Sequence, residues 1–90
     1  MTVDGARYAG TVVRLRLFAS ARQAAGTGCA EFDGATVGAV LAAAATAFGA
    51  DFARVLPTCK LWLNGEAAEP SSTVVAGDEV AVLPPVSGGA

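Results

Sequence analysis

No histidine occurs anywhere in this 90-residue chain, and that one absence removes much chemistry. No imidazole can act as base for a serine, complete a dyad with a thiol or finish a zinc site. The two cysteines, Cys29 and Cys59, lack metal-ligand spacing. They read first as small buried hydrophobes and second as redox or sulfur-carrying thiols. No glycine-rich loop followed by Lys-Ser/Thr is there to cradle phosphate, and no acids cluster at metal spacing. Glu66 and Glu69, like Asp78 and Glu79, read as solvated charge. Charge itself is scarce, with six Lys+Arg against eight Asp+Glu. That balance argues against nucleic acid or an anionic membrane surface as partner, since both select a basic face. No apolar run approaches the roughly 18 residues that span a bilayer. The opening MTVDGARYAG lacks the charged-then-greasy order of a secretion signal. The expectation is a soluble, cytoplasmic protein that is not catalytic alone and holds no metal or permanent cofactor.

What is present fits one small domain. The apolar fraction is 53%, much of it alanine, so the few larger apolar side chains must carry the core. Residues 1–10 show no periodicity and are expected to form a flexible arm. Residues 11–83 read as the folded domain and 84–90 as an extended, flexible tail. Val13, Leu15 and Leu17 alternate with Arg14, Arg16 and Phe18, the mark of a half-buried strand. Residues 19–28 read as a connection and 29–33 as a second strand. Thr36 is a candidate cap for a helix in which Val37, Val40, Leu41, Ala44 and Phe48 share one face, ending near Gly49. Residues 50–59 form a mixed segment stopped by Pro57. Lys60 to Asn64 alternates into Asn64-Gly65, a tight-turn signal. Glu66 to Pro70 reads as a short edge strand, and Gly77-Asp78 as a turn into a last strand over 79–83. This order predicts an α+β fold: a mixed sheet of four to five strands with one main helix on one face, the first and last strands parallel in the middle.

One helix cannot cover both faces of that sheet. Alternation leaves Arg14, Arg16 and Phe18 on the uncovered face, with Lys60, Trp62 and Asn64 from the third main strand and Glu79, Ala81 and Leu83 from the last. Phe18, Trp62 and Leu83 together predict a docking surface. The competing expectation is that the N-terminal arm or residues 50–59 fold over them. Beyond Leu83 the chain reads LPPVSGGA. Pro84-Pro85 stiffens the stem and directs it away from the sheet. Gly88-Gly89 lacks Cβ atoms and could enter a passage too narrow for other residues.

Together, Leu17-Phe18-Ala19-x-x-Arg22, Leu63-Asn64-Gly65-Glu66, Gly77-Asp78-Glu79-Val80 and Pro84-Pro85-Val86-Ser87-Gly88-Gly89 resemble the family of small, sulfur-carrying subunits of molybdopterin synthase, over residues 12–89. The resemblance implies the ubiquitin-like β-grasp fold. It also implies a mechanism in which a ubiquitin-activating-like adenylyltransferase uses ATP to adenylate the terminal glycine. A sulfur donor system then leaves a thiocarboxylate there, and the large catalytic subunit transfers its sulfur to cyclic pyranopterin monophosphate in molybdenum cofactor biosynthesis. Carried over, Gly89 is the acyl position and Gly88 its narrow neighbour. Phe18, Arg22, Leu83, Pro84, Pro85 and Val86 fall on partner-binding positions. Trp62 joins them by alternation alone. Ala90 departs from the pattern, because it moves the carboxylate by about 3.5 Å and adds a Cβ. The expectation is a protease that removes it; toleration by the partner, or a copy that cannot be charged, are the alternatives. Carriers for cysteine or thiamine biosynthesis, a β-grasp interaction module without covalent chemistry, and a ubiquitin-like protein modifier are the competing readings.

Overall fold

Strand β1 (Val12–Leu17) sets the frame, because its alternation buries Val13, Leu15 and Leu17 while exposing Arg14 and Arg16. The computed structural model describes residues 12–85, so the expected arm and the tail from Val86 onward lie outside the described residues. Strands β2 (Cys29–Asp33), β3 (Lys60–Leu63), β4 (Glu66–Ala68) and β5 (Glu79–Leu83) complete one five-stranded sheet in the order β2-β1-β5-β3-β4. The first and last strands are parallel neighbours at its centre, as expected, and all other pairings are antiparallel. A parallel pair needs a long crossover. Here everything between β1 and β5 serves as that crossover.

Helix α2 (Val37–Phe48) is the main helix and lies on one face of the sheet, ending at Gly49 with φ +103°. The Thr36 hydroxyl accepts the Ala39 N–H at 3.1 Å and so satisfies one of the donors left free at a helix start. Its face of Val37, Val40, Leu41 and Ala44 is buried against Val13, Leu15, Leu17, Val80 and Val82 of the two central strands.

Two further short helices replace segments expected to be irregular. Residues 19–25 form α1 (Ala19–Ala25), and residues 50–58 form α3 (Ala50–Val55) with a 3-10 turn (Leu56–Thr58). The sequence gives little sign of α1 because Ala21, its buried residue, is flanked inward only by Ala24 and Ala25. A face made of alanine writes no hydrophobic period. In α3 the inward residues are Phe52 and Val55, too few for a period to show. Phe52 is fully buried and meets Phe48 edge-on at 5.1 Å, and Phe48 meets Phe32 of β2 at 5.6 Å. Residues 50–58 therefore pack on the helical side of the sheet and do not cover its other face.

The β3–β4 hairpin turns at Asn64 (φ +51°) and Gly65 (φ +88°), both in the left-handed region that a two-residue hairpin requires. Asn64 does more than turn. Its side-chain oxygen accepts the Glu79 N–H at 2.9 Å, and its Nδ2 donates to Asp78 at 3.0 Å. Its own N–H donates to the Glu79 carbonyl at 2.8 Å. The second Asp78 oxygen accepts the Val75 N–H at 2.8 Å. These bonds clamp the hairpin turn to the entry of β5. They also hold the Asp78 carboxyl below the usual carboxylate range, first through the Val75 N–H and then through Asn64.

Two outcomes follow for the clamp. Asn64→Ala removes two side-chain hydrogen bonds and a residue tolerant of positive φ, so urea unfolding should show a loss of about 1–2 kcal/mol. For Asp78 the folded form has the lower pKa. Its contribution is complete above about pH 4 and fades as pH falls through the depressed value. Asp78→Asn should therefore flatten the acid limb of the stability curve measured by urea titration below pH 4.

Candidate functional site

The face of the sheet opposite α2 carries the outward residues of the three strands β1, β5 and β3. At its middle, Ala81 pairs in register with Arg16 on one side and Trp62 on the other. A methyl group between two long side chains makes a dip. The result is a shallow hollow of about 440 Å³ lined by Phe18, Trp62, Asn64, Gly65, Glu79, Ala81 and Leu83. The Arg16 guanidinium forms an ion pair with Glu79 at 3.1 Å and lies 5.8 Å from the centre of the Phe18 ring. Such an exposed pair contributes little to stability. It does fold the arginine down and pair its charge, leaving an apolar floor with a polar rim.

Phe18 reaches this face by a local device. Its own backbone is extended, and Ala19 follows with φ +52°, a conformation that costs a residue with a Cβ about 1–2 kcal/mol. The chain turns at once from β1 into α1, and the Phe18 carbonyl accepts the N–H groups of Ala21 and Arg22 at 3.1 and 3.3 Å. The ring is left 39% exposed on the open face, beside Leu83 at 36%, while Trp62 is half-buried. Exposed aromatic and aliphatic side chains gathered around one hollow form the kind of patch that partners cover.

Phe18, Trp62 and Leu83 are thus brought together as the alternation predicts. Pro84, half-buried, and Pro85, exposed, continue directly from Leu83. Arg22 is not brought to the hollow. It lies on α1 with its side chain against Gly28, where a Cβ would meet Arg22 Nε at 3.3 Å. Val86, Gly88, Gly89 and Ala90 lie outside the described residues. The ion pair of Arg16 with Glu79, and the place of the turn residue Gly65 at the hollow, are not legible in the sequence. Alternation gave the face of Arg16 and Glu79, but their meeting depends on the parallel register of β1 with β5, which no local pattern encodes.

The thiols stand apart from the hollow. Cys29 was expected to be buried and is exposed, because in β2 the inward positions fall to Ala30 and Phe32. Cys59 is half-buried, and its Sγ–H donates to the Val55 carbonyl at 3.3 Å. Burial pushes this thiol up, outweighing the hydrogen bond from Thr58, so it keeps its proton at neutral pH. Among the described residues no group of three or more His, Cys, Asp and Glu side chains could hold a metal ion. Among them, too, no helix is long and apolar enough to cross a membrane.

Solved structures of the same architecture are known. Small archaeal modifier protein 1 (SAMP1) of Haloferax volcanii is 35% identical, with a TM-score of 0.77, over 84% of this chain and 97% of its own. A Pyrococcus furiosus protein named putative molybdopterin converting factor, subunit 1, is 22% identical with a TM-score of 0.70 over 84% of this chain and 99% of its own. A complex of subunits 1 and 2 of molybdopterin-converting factor from Helicobacter pylori matches at 18% identity with a TM-score of 0.65, over 83% of this chain and 95% of that one. The last two show likeness of fold. No curated protein matches the chain by sequence. The ThiS family matches residues 15–89.

If the open face is a docking surface, its residues are dispensable for folding. Phe18→Ser should leave the urea midpoint nearly unchanged, within about 0.5 kcal/mol, as at an ordinary surface position. Leu17→Ala, one residue earlier and buried, should cost about 2–5 kcal/mol.

Proposed function

The chain belongs to the ThiS family of ubiquitin-like sulfur carriers, and on that premise we propose that it is the sulfur-carrying small subunit of a molybdopterin synthase, working in the cytoplasm. One observation carries this reading: the apolar hollow of Phe18, Trp62, Ala81 and Leu83 ends at the point where β5 passes into Pro84-Pro85. A partner seated on the hollow is thereby seated at the root of the tail. The tail's own sequence supports the same pathway, since Pro-Pro-Val-x-Gly-Gly resembles the molybdopterin carriers more than those for thiamine or cysteine.

In the proposed cycle a protease first removes Ala90 and leaves Gly89 with the free carboxylate. A ubiquitin-activating-like adenylyltransferase then joins that carboxylate to the α-phosphate of ATP, and pyrophosphate leaves. A sulfur nucleophile from the donor system attacks the acyl carbon, AMP departs, and a thiocarboxylate remains at Gly89. Docked through Phe18, Trp62 and Leu83, with Pro84, Pro85 and Val86 as the stem, the carrier presents Gly88-Gly89 in the active site of the large subunit. There sulfur passes to cyclic pyranopterin monophosphate. Catalysis belongs to the partners, and the small subunit supplies a surface and a chemically loaded end. Arg22, set away from the hollow on α1, is a second contact point for whichever partner extends that far.

A second reading has its own support. The 35% identical Haloferax volcanii protein bears the name of a modifier protein, and on the modifier reading the Gly89 carboxyl of this chain would be joined to a lysine of another protein. Thiamine and cysteine carriers remain the alternatives within the family. A non-covalent module would keep its function after loss of Gly88 to Ala90.

Incubation of a chain ending at Gly89 with ATP, a sulfur donor and the adenylyltransferase of the same host should give the mass change of one sulfur for one oxygen. The chain ending at Ala90 should stay unchanged; if it charges equally well, the removal step is wrong. Addition of the large subunit and cyclic pyranopterin monophosphate should discharge the carrier. Lysine-linked conjugates without pterin sulfuration would replace this reading by the modifier one. Trp62 is the chain's single tryptophan, so docking of the large subunit should shift its emission to the blue. Leu83→Asp should weaken that docking by about 2 kcal/mol or more.

A further inference from the structure

Five of the six basic residues are arginines, and Lys60 is the one lysine in the sequence. A guanidinium keeps its proton in proteins and is no nucleophile. Lys60 Nζ is therefore the only side-chain amine the protein has. The fold puts it at a telling place. Lys60 opens β3 and pairs in register with Leu83, the last residue of β5. Opposed residues of antiparallel strands lie about 4.5–5.5 Å apart at their Cα atoms and project from the same face. Lys60 is exposed and, among the described residues, no carboxylate pairs with it. So a free amine stands on the open face beside the residue from which the tail departs.

Five residues lie between Leu83 and Gly89, and the six peptide steps span up to about 20 Å, several times the Lys60–Leu83 separation. The prolines stiffen the first part of that reach. A tether this short sets an effective concentration on the order of millimolar, far above that of any second copy at micromolar protein.

We propose that Lys60 is a self-acylation site: when the Gly89 carboxyl is activated and no partner covers the open face, Lys60 Nζ captures it and closes an isopeptide within the chain. The proposal rests on the activation of Gly89 argued above. In the step the neutral amine adds to the acyl carbon, a C–N bond forms and the C–O bond to AMP breaks. AMP leaves with the electron pair, the amine's proton passes to water, and nothing is oxidised or reduced. The product is one water lighter than the free chain and cannot carry sulfur. Occupation of the hollow by a partner separates the two groups, so the charged end survives only while escorted.

The test needs no activating enzyme. The chain ending at Gly89 is prepared as a C-terminal thioester by cleavage of an intein fusion with a small thiol, then diluted into buffer at several micromolar concentrations. The expected result is a monomer one water lighter than the acid, with a branched peptide joining Lys60 to Gly89 after proteolysis. It should form at a rate independent of protein concentration, and Lys60→Arg should slow amide formation about tenfold or more. Hydrolysis as the only fate, a linkage that persists in Lys60→Arg, or a rate that rises with concentration to give linked dimers would each overturn it. Because the thioester is made chemically, these outcomes bear on Lys60 alone. Failure of the adenylyltransferase to activate Gly89 would count against the carrier cycle instead.

Discussion

The parallel pairing of β1 with β5 is the contact on which the rest of the molecule depends. It joins the two ends of the folded region, aligning Leu15 with Val80 and Leu17 with Val82 on one face and Arg16 with Ala81 on the other. The inward residues of these two strands, fully or almost fully buried, form the floor on which α2 and Phe52 of α3 rest. The outward residues form the floor of the hollow. Because the last residue of β5 is held in the sheet by β3 on its other side, the tail leaves from a rigid point. A parallel pair closes a long loop, and its entropy must be met by apolar contacts. Here the intervening helices and hairpin supply them.

The clamp around Asn64 explains why two separate sequence signatures, Leu63-Asn64-Gly65-Glu66 and Gly77-Asp78-Glu79-Val80, belong together. They lie well apart along the chain, and in the fold they share two side-chain hydrogen bonds, those of Asn64 with Glu79 and Asp78, and the backbone bond from the Asn64 N–H to the Glu79 carbonyl. The clamp fixes the start of β5 against the β3–β4 turn, which sets the register that places Ala81 between Arg16 and Trp62. The Asn-Gly and Gly-Asp pairs thus meet in a tertiary contact that shapes the candidate site.

The elements most legible in the sequence were those with a strong period. Val13, Leu15 and Leu17 announced β1, Val37 to Phe48 announced α2 together with the Thr36 cap, and Asn64-Gly65 announced the hairpin. Alternation alone placed Phe18, Trp62 and Leu83 on one face, and they line one hollow. What stayed hidden were elements whose buried faces are small or brief, such as Ala21 in α1 and Phe52 in α3, because periodicity needs several large residues to register. Cys29 misled for a different reason. Its intrinsic preference for burial yields to the phase of a strand whose inward positions are Ala30 and Phe32. The ion pair of Arg16 with Glu79 depends on a register that only the folded chain defines.

The alternation of β1, β3 and β5 has an evolutionary reading. Each strand devotes one set of positions to the core and the interleaved set to the open face, so the two tasks draw on different residues of the same segment. Substitutions at positions such as Ala81 or Trp62 can reshape the hollow while Val80, Val82 and Leu61 go on holding the core. Distant, non-touching sites contribute to stability nearly independently, and the two faces of a strand come close to that condition. A scaffold arranged this way can change the chemistry of its exposed face by changing every second residue, with little risk to its fold.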